Sequence, residues 1–206
     1  MALQTIVKIS NITNLSDARY CAGMGVDLLG FSMDSSSPDY IDPARFAEIR
    51  GWVAGVHIVG ETSSADPEQI EQLLADYQPD VLQVDEAALL PYLSTMGKPL
   101  MLRVDLADMT LEQLDAVAGT ALPGIDYLLL ESRSVIHLDD ALKAALTQIA
   151  GRHPVLLGIG FDVATIQAVL TELPVTGIAL SGGNEERPGS RDFGALMDIL
   201  EVLEVD

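Results

Sequence analysis

An ammonium, a hydroxyl and an amide stand close together near the start of the chain, as Lys8, Ser10 and Asn11 in "KISNIT", where an apolar run ends. Successive side chains of a strand point to opposite faces, so Lys8 and Ser10 share one face. Such a pair at the end of a strand can hold a small polar ligand, and both residues are read as turned towards a ligand cavity. The other reading is a buried lysine paired with an acid such as Glu131, which would simply complete the interior. Arg103 ends a later apolar run, "PLMLRVD", and either contacts an anionic ligand or pairs with Glu131 or Asp105. Towards the C-terminus, "LLGIGFD" and "ALSGGNEE" supply glycine turns. Glycine lets backbone N–H groups approach an anion, and a following helix adds positive potential. Gly158, Gly160, Ser181, Gly182 and Gly183 are therefore the candidates for binding phosphate.

These groups need a frame, and the chain supplies one by alternation. "TIVKIS", "VDLLGFSM", "VAGVHIVGE", "DVLQVD", "PLMLRVD", "GIDYLLLES", "HPVLLGIG" and "VTGIALSGG" are short β-rich runs, each followed by a helix-like segment. That order predicts a parallel sheet. Units of this size fit a compact (β/α)8 barrel better than a doubly wound open sheet, and no Gly-, Pro- or Ser-rich linker divides the 206 residues. The expectation is one barrel domain over residues 1–206. In such a barrel the chemistry lies at the carboxyl ends of the strands, which here read Ser10 and Asn11, Asp34, Glu61, Asp85, Arg103 and Asp105, Glu131 and Arg133, and the two glycine turns.

Composition narrows the partners. The balance of 31 acidic against 11 basic residues gives a formal charge of −20, which repels nucleic acid and anionic membrane surfaces. No apolar run approaches bilayer length and no basic, apolar leader opens the chain, so a cytoplasmic protein is expected. A single cysteine, Cys21, excludes an internal disulfide and a cysteine-built metal site; its helical spacing beside Ala18, Ala22 and Gly25 reads as a core thiol. His57, His137 and His153 are not spaced as a metal set, and His57 is expected to be packed. No serine, histidine and acid series suggests a hydrolase.

The chain also resembles a known family. "KISNITNLSDA" is similar to the "KICGIT" opening of the phosphoribosylanthranilate isomerases with its aspartate-alanine pair. "GVDLLGF" and "SPDYIDPARFAEI" are similar to that family's GADAxGF segment and tyrosine-containing loop. "DVLQVDE" resembles its VQLHG segment, "YLLLES" its LLLDT segment, and "LSGGNEERPGSRD" its SSGVE…PGxKD segment. The match runs over the whole chain with similar spacing. It implies a (β/α)8 barrel and an Amadori rearrangement in tryptophan biosynthesis, in which a phosphorylated aminoaldose opens its ring and becomes an aminoketose. That reaction needs an acid at the ring oxygen and a base at the C2 proton, and no metal or organic cofactor.

Carried over position by position, the resemblance places Glu131 where the family has its aspartate acid and Ser10 where it has its cysteine base. Asp85 takes the place of a histidine, Asp39 that of an arginine that holds the anthranilate carboxylate, and Asn11 that of a glycine. Glu131, Ser10 and Asp85 are thus the candidate catalytic groups, and Lys8, Asn11, Asp39 and Arg103 the candidate substrate contacts. Since carboxylates at 39 and 85 suit a cationic or hydroxyl-rich ligand better than anthranilate, the second reading is a diverged barrel for another small phosphorylated ligand. The expected partner is that ligand, with a homodimer left open; a structural or partner-binding protein without ligand ranks last.

Overall fold

The computed structural model describes residues 2–107, 109–182, 185–187, 190–191 and 194–205, with the backbone alone at 185–187 and 190–191. Eight strands lie side by side in chain order and close into a parallel barrel. They are β1 (Ile6–Ser10), β2 (Leu28–Ser32), β3 (His57–Glu61), β4 (Val81–Val84), β5 (Leu100–Asp105), β6 (Ile125–Glu131), β7 (Val155–Leu157) and β8 (Gly177–Ser181). Closure is made by β1 against β8, from Ile6 beside Gly177 to Ser10 beside Ser181. The (β/α)8 expectation holds.

Helices α1 (Leu15–Gly23), α2 (Pro43–Arg50), α3 (Pro67–Tyr77), α4 (Leu90–Leu93), α5 (Leu111–Gly119), α6 (Asp140–Ala150), α7 (Ile166–Glu172) and α8 (Gly194–Leu203) follow the strands in turn. Several starts are written into the sequence. Asn14, Asp42, Asp66 and Asp139 accept hydrogen bonds from backbone N–H groups of the first turns of α1, α2, α3 and α6, and Thr110 with Gln113 forms a capping box on α5. The segment after β4 is the exception to a continuous helix. Pro91 has no N–H to give the Ala87 carbonyl, and the stretch divides into a 3₁₀ turn at Ala87–Leu89, the single turn of α4, and a second 3₁₀ turn at Ser94–Met96.

Two apolar layers hold the frame. Outward-facing strand residues such as Val7, Ile9, Leu29 and Phe31 pack with helix residues such as Phe46, Ile49 and Leu146. Inside the barrel Leu28, Val59, Val81, Met101, Leu129, Leu156 and Ala179 form a separate cluster. Cys21 is fully buried in the outer layer, where burial pushes its thiol up to about 12, as a core thiol should behave. His57 departs from expectation: it is exposed, because it is the first residue of β3 at the amino-terminal rim.

Two further pairings were not foreseen. Ala2–Leu3 pairs antiparallel with Glu204–Val205 and joins the two ends of the chain, and Glu185–Arg187 pairs with Ser190–Arg191 as a hairpin after β8. Both are too short for a two-residue periodicity to announce them.

The barrel closes tightly where β8 begins. A Cβ built on Gly177 would lie 2.2 Å from the Ile6 carbonyl oxygen, a backbone atom that cannot turn aside. Gly177→Ala is therefore expected to lower stability by about 1–3 kcal/mol, read from the urea midpoint; an unchanged midpoint would contradict this account of the closure.

Candidate functional site

Interior positions recur every second residue, and above the apolar cluster they turn polar. At the carboxyl ends of the strands they surround a cavity of about 390 Å³, lined by residues that include Ser10, Ser32, Glu61, Gln83, Arg103, Glu131 and Ser181. The volume suits a small ligand. Its wall differs from the usual apolar one: of the lining residues, Gly158 and Ala179 alone lack a polar side-chain group.

Lys8 stands beneath this cavity rather than in its wall. It is fully buried, and its Nζ donates to Ser10 Oγ at 2.5 Å and to Glu61 Oε1 at 2.5 Å. The partner is thus Glu61 of β3, not Glu131. The reason is steric: Gly30 of β2 lies between, and a Cβ there would sit 1.9 Å from Glu61 Oε1 and 3.1 Å from Lys8 Nζ. An ammonium can only donate, so Ser10 Oγ accepts from Lys8 and directs its own proton elsewhere. Ser10, a cavity-wall residue only 6% exposed, therefore has its own proton to donate away from Lys8.

Across the mouth, Arg103 of β5 links two carboxylates. Its Nε donates to Glu131 Oε2 at 2.9 Å, and its Nη1 lies 3.3 Å from Asp85 Oδ2. Glu131 stands beside Arg103 because Asp105 and Glu131 are in register on β5 and β6. Burial pushes the Asp85 carboxyl up from its usual range; Arg103 opposes this, while Asp34, Glu131 and Glu61 add to it. Burial pulls the Arg103 guanidinium down, but its bond to Glu131 and the charges of Asp85, Glu131 and Asp105 outweigh that and hold it above its ordinary value. Arg133 instead pairs with Asp105 at 3.1 Å. Burial raises the Asp105 carboxyl, yet backbone N–H groups of Ala107 and Arg133 and the two arginines bring it below the ordinary range.

Other expected residues divide. Asn11 lines the cavity with φ at +61°, a left-handed conformation in which asparagine replaces glycine at modest cost. Asp39 does not line the cavity, and its backbone N–H donates to Ser37 Oγ. In its place Asp34 reaches the rim, accepting from the Thr62 hydroxyl at 2.6 Å and from both the N–H and hydroxyl of Ser63 at 2.7 Å. Gln83, in the wall of β4, was not singled out, although a glutamine inside the apolar run "DVLQVD" is the signal that could have found it.

The residues of the glycine turns divide as well. The Gly158 N–H donates to the Leu130 carbonyl at 2.8 Å and that of Gly182 to the Ser10 carbonyl at 3.2 Å, so both amides are occupied by the backbone. Gly158 serves space instead, since a Cβ there would come within 2.9 Å of Glu131 Cγ. Gly160 has φ at +74° and, with Ser181, lines a second cleft of about 220 Å³ between the turn after β7, the end of β8 and the first turns of α8. Gly183 lies outside the described residues. Among the described residues no cluster of His, Cys, Asp or Glu has the arrangement of a metal site, and no helix is long and apolar enough to cross a membrane.

No protein-family model matches the chain. It is 26% identical over 218 residues to the N-(5'-phosphoribosyl)anthranilate isomerase of Nitrobacter winogradskyi, covering 97% of this chain and 93% of that protein. Among solved structures, the phosphoribosylanthranilate isomerase of Thermotoga maritima superposes with a TM-score of 0.77 at 20% identity, covering 97% of this chain and 98% of the other. A phosphoribosylanthranilate isomerase in complex with reduced 1-(o-carboxyphenylamino)-1-deoxyribulose 5-phosphate superposes with a TM-score of 0.75 at 20% identity, with the same coverage. At that identity the two structures establish the shared fold.

The buried pair yields a clear expectation. Lys8→Met strands the Glu61 carboxylate and should lower stability by about 3–5 kcal/mol, whereas Lys8→Met with Glu61→Met removes both charges and should recover most of that loss. Urea unfolding of the two variants checks this; equal destabilisation would show that Glu61 does not depend on Lys8.

Proposed function

We propose that this chain, a diverged member of the phosphoribosylanthranilate isomerase family, catalyses the aldose-to-ketose Amadori isomerisation of a phosphorylated aminosugar. N-(5'-phosphoribosyl)anthranilate, for which its relatives are named, is the reference substrate. The observation that carries the reading is the Glu131 carboxylate at the mouth, gripped by Arg103 and across the barrel from the hydroxyl of Ser10.

The chemistry requires an acid and a base on the same substrate. In our assignment Glu131 delivers a proton to the ring oxygen; the C1–O bond breaks and a protonated C1=N bond forms. Asp85 removes the C2 proton and leaves an enolamine. Return of that proton to C1, with loss of the C2 hydroxyl proton to Glu131, gives the ketose and restores both carboxyls. The elevated Asp85 carboxyl favours the base role, because a base is most effective when its pKa approaches the working pH. Arg103 holds both groups in place. Ser10, with its proton directed away from Lys8, orients a ligand oxygen, and Asn11 lines the wall nearby.

We assign the phosphate to the cleft between the turn after β7, the end of β8 and α8, where Gly160 and Ser181 offer an N–H and a hydroxyl. We further propose a cytoplasmic protein of one barrel domain, with a homodimer left open. A second reading, turnover or binding of a different small phosphorylated ligand, is favoured by the polar wall, which offers an aromatic ring little apolar surface to lie against.

Glu131→Gln keeps the shape and removes the proton. With phosphoribosylanthranilate as substrate, its kcat should fall by about 10²–10⁴-fold, the usual range for a proton-transfer group, with the melting temperature little changed. An undiminished kcat would remove Glu131 from the mechanism.

A further inference from the structure

One wall residue of the mouth has no place in the network around it. Gln83 is 5% exposed, and its Oε1 is buried without a hydrogen-bond partner. Its neighbours on either side are already engaged: on β3, Glu61 takes the Lys8 ammonium, and on β5, Arg103 holds Glu131 and Asp85. Strand pairing uses only the main chain of Gln83, whose carbonyl accepts from the Thr62 N–H at 3.1 Å. A buried amide left unsatisfied in the free protein is unfavourable, whereas an apolar side chain of similar length would fit without that penalty. The position lies in the cavity wall, where a bound molecule can supply what the fold does not.

We propose that Gln83 is a specificity-determining contact, whose amide hydrogen-bonds a hydroxyl or amine N–H on the sugar half of the ligand. An ionised phosphate only accepts hydrogen bonds and cannot satisfy Oε1, so the contact belongs to the polyhydroxylated, amine-bearing part. The buried Oε1 is the end of the amide that lacks a partner, so it is the end the ligand must meet with a donor. This inference rests on the mouth being the site of a phosphorylated aminosugar.

The test uses Gln83→Met in the full chain. Binding is measured by calorimetry with inorganic phosphate, ribose 5-phosphate and reduced 1-(o-carboxyphenylamino)-1-deoxyribulose 5-phosphate. Without ligand, the melting temperature of the variant is expected to equal or exceed that of the unmodified protein. Inorganic phosphate should bind both equally, while the dissociation constants of the two sugar phosphates should rise about tenfold, which corresponds to about 1.4 kcal/mol. Loss confined to ribose 5-phosphate, with the reduced arylamine unbound by either protein, would keep the Gln83 contact and discard the isomerase reading. Unchanged affinity for every sugar phosphate that binds overturns the inference. So does a variant that melts several degrees lower, since the amide would then have a structural partner. Failure of the unmodified protein to bind any of the three overturns both readings.

Discussion

The polar mouth of this barrel depends on a charge pair set just beneath it. Lys8 is fully buried and meets Glu61 across β2 at 2.5 Å. A buried ion pair is weak evidence of stability, because desolvation of both ions opposes their attraction. What this one supplies is a direction. Lys8 can only donate, so it fixes Glu61 Oε1 as an acceptor and Ser10 as a hydroxyl whose proton points away from it. The chemistry available on that side of the cavity follows from the pair.

Glycine makes the arrangement sterically possible on both walls. At Gly30 the missing Cβ leaves the passage through which Lys8 and Glu61 meet, and at Gly158 it leaves room for the Glu131 stem. In neither place is the glycine required by an unusual backbone angle, since neither has positive φ. The site thus has two chemically distinct walls. One presents hydroxyls over a buried ammonium, and the other presents carboxylates divided by Arg103.

The strand and helix alternation could be read directly because each barrel strand is a short apolar run and several helices announce their first turn with a capping side chain. The shared face of Lys8 and Ser10 was equally readable from a period of two. Their partner was not, because selecting Glu61 over Glu131 depends on which interior position lacks a Cβ, a fact that emerges only when β2 is placed between β1 and β3. The glycine turns were legible only in part for a related reason: sequence shows where an N–H could approach an anion, but not that Leu130 and Ser10 carbonyls already take those of Gly158 and Gly182. Gln83 stands out as a glutamine in an apolar run, but sequence does not show that its buried Oε1 meets no partner.

The central claim is that the two walls act together on one phosphorylated aminosugar. The most direct measurement is the time course of phosphoribosylanthranilate consumption by the unmodified protein in deuterium oxide, followed by mass spectrometry of the product. The account predicts a ketose that carries solvent deuterium at C1, because the proton taken from C2 resides on an exchangeable carboxyl before it is returned. Substrate that remains unchanged at high protein concentration would contradict the account, and the barrel would then belong with the binders of other phosphorylated ligands.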